Sequence, residues 1–173
     1  THYLVDGPAD APWVTFVTGI ANDVTMWDGK MRALAGRFRV LRYDLRGHGE
    51  SDAPDASYSL RELASDVLAL LDALCIERAH VSGISIGGMV AMAVAAISPR
   101  RVHRLVLANT APRIASAEVW SERIGFVQQN GLEPLVESTL VRWFSEPFRA
   151  REPALVAAYG QLLKSTNPLG YAG

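Results

Sequence analysis

Apolar positions along the chain follow two rhythms. Through residue 111, short β-rich runs alternate with stretches of helical spacing; from Pro112 onward only the helical spacing continues. His2 to Val5 reads as a short strand before a Gly7-Pro8 turn, and Trp13-Val-Thr-Phe-Val-Thr18 as a buried strand that stops at Gly19. Trp27 to Gly36, with apolar residues at Trp27, Met31, Leu34 and Ala35, predicts a short amphipathic helix closed by glycine. Phe38 to Tyr43 is the next strand run, followed by the turn-rich Asp44-Leu-Arg-Gly-His-Gly-Glu-Ser51. Ser59-Leu-Arg-Glu62 is a capping box, in which each end residue's side chain satisfies an orphan backbone N–H of the other. Behind it Leu60, Leu63, Val67, Leu70, Leu71 and Leu74 keep helical spacing, a core-facing stripe. Arg78 to Ser82 reads as a strand, Gly83 to Gly88 as a sharp turn, and Met89 to Ile97 as an apolar helix ended by Pro99. Arg104 to Asn109 is the last strand run.

Strand and helix in alternation predict βαβ units and a mainly parallel sheet with flanking helices. From Ala117 to Lys164 the helical patterns break only at Gly131-Leu-Glu-Pro134, Glu146-Pro147 and Glu152-Pro153. A helical insertion of that kind after a parallel sheet is expected to be a cap. The expected division is therefore a core over residues 1–111 and a helical cap over 112–173. The chain opens at Thr1 inside what reads as a strand, and Pro168 to Gly173 follow the last helical pattern without one of their own. Both ends read as cut, with a first strand expected ahead of Thr1.

Composition narrows the function classes. Of the 173 residues, 49% are hydrophobic and 20% charged, as in an ordinary globular domain, and the formal net charge is −1. No whole-molecule field attracts nucleic acid or an anionic membrane. The Arg100-Arg101-Val-His-Arg104 cluster reads as a solvated connection before a strand. The single cysteine, Cys75, supports neither an intrachain disulfide nor a cysteine-based zinc site. There is no signal-like leader and no apolar run of roughly 18 residues, so a cytoplasmic setting is the default. No pattern for a metal, nucleotide or flavin is present.

Gly83-Ile84-Ser85-Ile86-Gly87 fits G-x-S-x-G, with Gly88 a further small residue. Between a β-rich run and an apolar helix, this spacing predicts a tight turn that lifts Ser85 above the sheet as a nucleophile. The helix behind it directs its N-terminal N–H groups to the reacting centre, and the Ile86 N–H is the expected oxyanion donor. The turn Thr18-Gly19-Ile20 after the earlier strand is the expected source of a second, the Ile20 N–H. His48 lies too early for the chain order Ser, acid, His and reads as a structural part of a glycine-rich turn.

Asp44-Leu-Arg-Gly-His-Gly-Glu-Ser51 followed by Gly83-Ile-Ser-Ile-Gly-Gly88 resembles the α/β-hydrolase superfamily. Met26-Trp27-Asp28, Leu105 to Ile114, Trp120-Ser-Glu-Arg-Ile124, Arg142-Trp143-Phe144 and Pro168 to Ala172 are similar to the 3-oxoadipate enol-lactonases of aromatic-acid degradation. That resemblance implies hydrolysis of a small carboxylate-bearing lactone through an acyl-enzyme on Ser85. It also implies a cap cation for the carboxylate, for which Arg142 beside Trp143 is the candidate. The family's acid and His follow later strands, so both are expected beyond residue 173; Asn109 and Thr110, at the other known place for the acid, are not carboxylates. Little turnover and a tendency to aggregate through an unpaired sheet edge are then expected of this chain alone. Two other readings stand beside the lactonase. One is a cofactor-free esterase or perhydrolase of the same fold; the other is a non-catalytic binding module that has kept the pocket.

Overall fold

The computed structural model describes residues 1–34 and 36–173; Ala35, counted above among the apolar positions of the first helix, lies outside them. Among the described residues, five strands form one sheet: β1 (Tyr3–Asp6), β2 (Trp13–Val17), β3 (Arg39–Tyr43), β4 (Ala79–Ile84) and β5 (Val102–Ala108). They lie in the order β1-β3-β2-β4-β5. β1 runs antiparallel to β3, and every other pairing is parallel. The mainly parallel sheet expected from the alternating pattern is therefore present, with an antiparallel edge.

Helices α1 (Asp28–Leu34), α2 (Leu60–Ala73) and α3 (Ile86–Ile97) connect these strands. α2 starts where the capping box places it. The Ser59 hydroxyl accepts from the Glu62 N–H at 3.2 Å, and the Glu62 carboxylate accepts from the Ser59 N–H at 2.8 Å. The Ser59 hydroxyl, 2.7 Å from the same carboxylate oxygen, and then that N–H hold Glu62 below the usual carboxylate range. The stripe behind it is buried at Leu63, Val67, Leu70 and Leu71, and packs with Val81 of β4 and Val90 and Val94 of α3 on one face of the sheet. On the other face Val14, Phe16, Trp27 and Val40 form a smaller core, where the Phe16 and Trp27 rings stack at 4.4 Å.

α3 begins at Ile86, directly behind Ser85, and not at Met89 as its apolar run suggested. Gly87 and Gly88 have poor helix propensity, but both sit in helical backbone pressed against neighbouring elements. β5 differs from the buried strands beside it: Leu105, Val106 and Leu107 are 36%, 57% and 42% exposed.

The cap comprises α4 (Ala117–Asn130), α5 (Val136–Trp143), α6 (Glu146–Arg151), α7 (Pro153–Ser165) and α8 (Pro168–Ala172). The last was missed by the pattern, although its signal is present: Asn167 accepts from the Leu169 N–H at 2.9 Å, and Pro168 stands first in the helix. Its residues Gly170 and Tyr171 are buried, and the Gly173 carbonyl accepts from the Tyr58 N–H at 2.8 Å. The tail is thus stitched to the loop ahead of α2. The cap's own core joins Val127, Leu132, Leu163 and Tyr171 to Ala21 of the loop after β2. No helix among the described residues is long and apolar enough to cross a membrane.

Two substitutions calibrate this packing. Leu71→Ala empties a fully buried position and is expected to cost about 3 kcal/mol. Gly125→Ala adds a methyl to α4 with nothing within 4 Å, and is expected to gain up to about 1 kcal/mol. Urea unfolding of the two variants checks both signs.

Candidate active site

Ser85 stands at the end of β4 with φ +55° and ψ −124°, a conformation that L-residues rarely adopt. The turn is possible because of what flanks it. A Cβ on Gly83 would lie 2.2 Å from the Gly87 carbonyl oxygen. One on Gly87 would lie 2.3 and 2.4 Å from the carbonyl oxygens of Thr18 and Val17. These neighbours are backbone and cannot swing away. On the far side, Thr110 donates its hydroxyl hydrogen to the Ser85 carbonyl at 2.7 Å, and the Ser85 N–H donates to the Ala108 carbonyl at 3.0 Å. Thr110 also occupies the space that a Cβ on Gly88 would need.

Ser85 is the N-cap of α3, yet its side chain makes no capping hydrogen bond. The hydroxyl is therefore not consumed by the helix it begins, and among the described residues it has no hydrogen-bond partner. The first N–H groups of a helix have no carbonyl one turn back, and Ile86 is the first residue of α3. In the loop after β2, Asn22 donates from Nδ2 to the Ile20 carbonyl at 2.9 Å, and Ala21 is held at φ +54° while buried. That bond orients the Ile20–Ala21 peptide.

Two cavities meet at Ser85. One, of about 250 Å³, lies under α4 and is shared by Ser85, Ile20, Ile86 and Ile114. The other is a wider cleft of about 880 Å³ that again includes Ser85, Ile20 and Ile114. Arg142 and Trp143, at the end of α5, line the cleft, so these sequence candidates come to the same hollow as Ser85 and Ile20. Ile86 faces the smaller cavity. Arg113, Asn22 and Tyr159 line the cleft as well, and the sequence reading had not singled them out. Among the described residues, neither Arg113 nor Arg142 enters an ion pair, whereas Arg42, Arg46 and Arg101 each face an aspartate. Trp143 and Phe144 pack around the Tyr159 ring at 6.5 and 5.2 Å between centroids. Burial, with Asp23 and Asp28 nearby, pushes the Tyr159 phenol up, so it stays protonated.

His48 lines the smaller cavity but is turned to its own loop. Its Nδ1–H donates to the Arg46 carbonyl at 3.1 Å, and Nε2 is buried without a partner. Burial lowers its pKa below the ordinary imidazole value, and the ring is neutral.

The sequence matches the alpha/beta hydrolase fold family over residues 12–160. It is 39% identical over 168 residues to 3-oxoadipate enol-lactonase 1 of Acinetobacter baylyi, covering 97% of this chain and 63% of that protein. It is 34% identical over 171 residues to 3-oxoadipate enol-lactonase 2 of the same organism, covering 99% and 64%. The crystal structure of the enol-lactonase from Burkholderia xenovorans LB400 superposes with a TM-score of 0.96 at 41% identity, over 99% of this chain and 66% of that one. The chain thus spans just under two thirds of the length of the curated relatives it matches.

Two outcomes are expected from this geometry. Gly87→Ala and Gly83→Ala, which force a methyl onto backbone oxygens, should each destabilise by about 1–3 kcal/mol; urea midpoints unchanged from the parent would contradict the close approach. The second concerns pH. His48 binds its proton more weakly folded than unfolded, so the unfolded state takes up more protons and stability falls as the pH drops below about 6.5. His80, lowered by partial burial and by His103, Arg104 and Arg78, adds to the same slope. Between pH 7.5 and 5.5 the loss of stability should be smaller in His48→Gln than in the parent.

Proposed function

This chain belongs to the alpha/beta hydrolase family, and from that premise we propose that the whole protein is a carboxylic-ester hydrolase with Ser85 as its nucleophile. The substrate is a small enol-lactone bearing a carboxylate, 3-oxoadipate enol-lactone, opened to 3-oxoadipate. The observation that carries the reading is the convergence on Ser85 of a strained elbow, a free hydroxyl and a cleft holding two arginines without ion-pair partners. Identity of 34–39% to enol-lactonases along nearly the whole chain supports the substrate class.

In this mechanism the Ser85 Oγ attacks the ring carbonyl carbon, and the N–H groups of Ile20 and Ile86 hold the oxyanion. The ring C–O bond breaks, the enol oxygen leaves with the proton given up by serine, and the enol relaxes to the ketone. Water then cleaves the acyl-serine ester, restoring the hydroxyl and freeing the second carboxylate. A base must accept the serine proton, since an unassisted hydroxyl is a weak nucleophile at neutral pH. The reading assigns that His and its acid partner to the part of the relatives' length that this chain does not span.

Arg142 takes the substrate carboxylate in a charge-assisted pair, and Trp143 with Tyr159 walls the cleft beside it. With the substrate goes the setting that the resemblance implies, aromatic-acid breakdown. Ser85→Ala is expected to abolish both enol-lactone turnover and the mass adduct of a fluorophosphonate probe on the whole protein. Arg142→Ala should lower kcat/KM about 30-fold, roughly 2 kcal/mol, mostly through KM. Adduct formation that persists in Ser85→Ala would sink the nucleophile assignment.

A further inference from the structure

The wide cleft at Ser85 carries more positive charge than one substrate carboxylate uses. Arg113 and Arg142 both line it, and among the described residues no aspartate or glutamate does. The cap's other arginines are engaged by the protein itself. Arg123 donates to the Tyr171 oxygen at 2.5 Å, Arg149 donates to the Phe144 carbonyl at 2.7 Å, and Arg151 faces Glu152 at 3.3 Å. Asp23 and Asp28, the acids near Tyr159 of the cleft wall, are engaged as well: Asp28 pairs with Arg42, and Asp23 accepts from the Thr25 N–H at 2.9 Å. The two cleft arginines come from different elements. Arg113 lies in the loop between β5 and α4, shortly after Thr110, whose hydroxyl donates to the Ser85 carbonyl at 2.7 Å. Arg142 lies in the last turn of α5. One charge thus belongs to the loop that grips the elbow, and the other to the cap.

Resting on the reading of the site as a lactonase, we propose that this cleft is a two-carboxylate site fitted to the product, with Arg113 as the partner of the carboxylate formed at Ser85. The substrate brings one carboxylate, which Arg142 takes. Hydrolysis adds one water across the ring ester. The acyl carbon gains an oxygen from that water, the enol oxygen leaves protonated and relaxes to the ketone, and the new acid gives its proton to solvent. A monoanion enters, and a six-carbon dianion is formed. Two guanidiniums without ion-pair partners therefore hold the product more tightly than the substrate, each through charge-assisted hydrogen bonds. The enzyme is slowed by its own product, and six-carbon dicarboxylates compete with the lactone. A following reaction that consumes the dicarboxylate is needed to keep this one running.

Adipate, which has no ester to cleave, tests the site on the whole protein by calorimetry, with hexanoate as the six-carbon monoanion at the same ionic strength. Adipate should bind about tenfold more tightly than hexanoate, the worth of one further charge-assisted pair. Arg113→Gln should remove that factor and leave hexanoate binding and the KM for enol-lactone within about twofold of the parent. Arg113→Lys should restore part of the factor, and Arg142→Gln should weaken both ligands. Equal affinity for adipate and hexanoate overturns the two-carboxylate site. A preference for adipate that survives Arg113→Gln overturns the assignment of Arg113. A KM for enol-lactone that rises as far as adipate affinity falls places Arg113 on the substrate's own carboxylate and overturns the product role. A preference lost in Arg113→Gln, on a protein with no Ser85-dependent turnover of enol-lactone, keeps the dicarboxylate site and brings down the lactonase reading instead.

Discussion

The structure turns on one close crossing of backbone. β4 pairs with β2 so that Gly83 stands opposite Val17, and α3 leaves the sheet directly over the end of β2. At that point Gly87 meets the carbonyl oxygens of Val17 and Thr18 at distances no side chain tolerates. Three features follow from the one contact. Ser85 is forced to φ +55°, the first N–H of α3 comes to the strand ends, and the loop carrying Ile20 is brought beside both. The strain at Ser85 is sustained because β5 holds the elbow from the other side through Ala108 and Thr110. Sheet order, the elbow at Ser85 and the start of α3 are therefore one geometric object.

Buried charge fixes the loops around that object. The Asp44 carboxylate, 1% exposed at the end of β3, accepts from His2 Nδ1 at 2.7 Å, from the Val24 N–H at 2.7 Å and from the Glu50 N–H at 3.0 Å. Arg42, two residues earlier and on the strand, reaches Asp6, Asp28 and the Val24 carbonyl. Such groups are weak evidence of net stability, because desolvation offsets much of the attraction. They are strong positional constraints, because breaking one pair leaves an uncompensated buried charge. Both converge on Val24, which ties the loop after β2 to the strand beside it, with Asn22 and Met26 of the cleft wall on either side.

What was legible in the sequence is what depends on neighbours along the chain. The capping box at Ser59, the leucine stripe behind it and the glycine spacing around Ser85 are local, and each appears where its pattern places it. Apart from the Asn167-Pro168 start of α8, what was missed depends on residues far apart. Thr110 matters because its methyl and hydroxyl fill the space over Gly88 and Ser85, a relation across 25 positions that no window contains. Tyr171 and Gly170 looked like an unpatterned tail. They are buried because Gly170 crosses Gly47, where a Cβ on Gly170 would lie 2.0 Å from the Gly47 carbonyl oxygen. Asn22, Arg113 and Tyr159 are polar residues on or beside loops and helix faces, and only the closing of the cap over the sheet brings them to one cleft.

The cap does more than roof the site. Its core is not closed on itself: Val127, Leu132, Leu163 and Tyr171 pack on Ala21, and Ile20 and Trp143 pack against that same cluster. Ala21 is held at positive φ, so the residue that seats the cap also shapes the turn after β2. Chemistry and selectivity are then separable in origin but coupled in position. The elbow comes from the sheet, the two cavities take their different linings from α4 and α5, and the loop after β2 reaches both cavities through Ile20. Cap packing bears directly on the loop after β2, through Ala21 and Ile20, whereas Ser85 is held through its own backbone by the Ala108 carbonyl and the Thr110 hydroxyl.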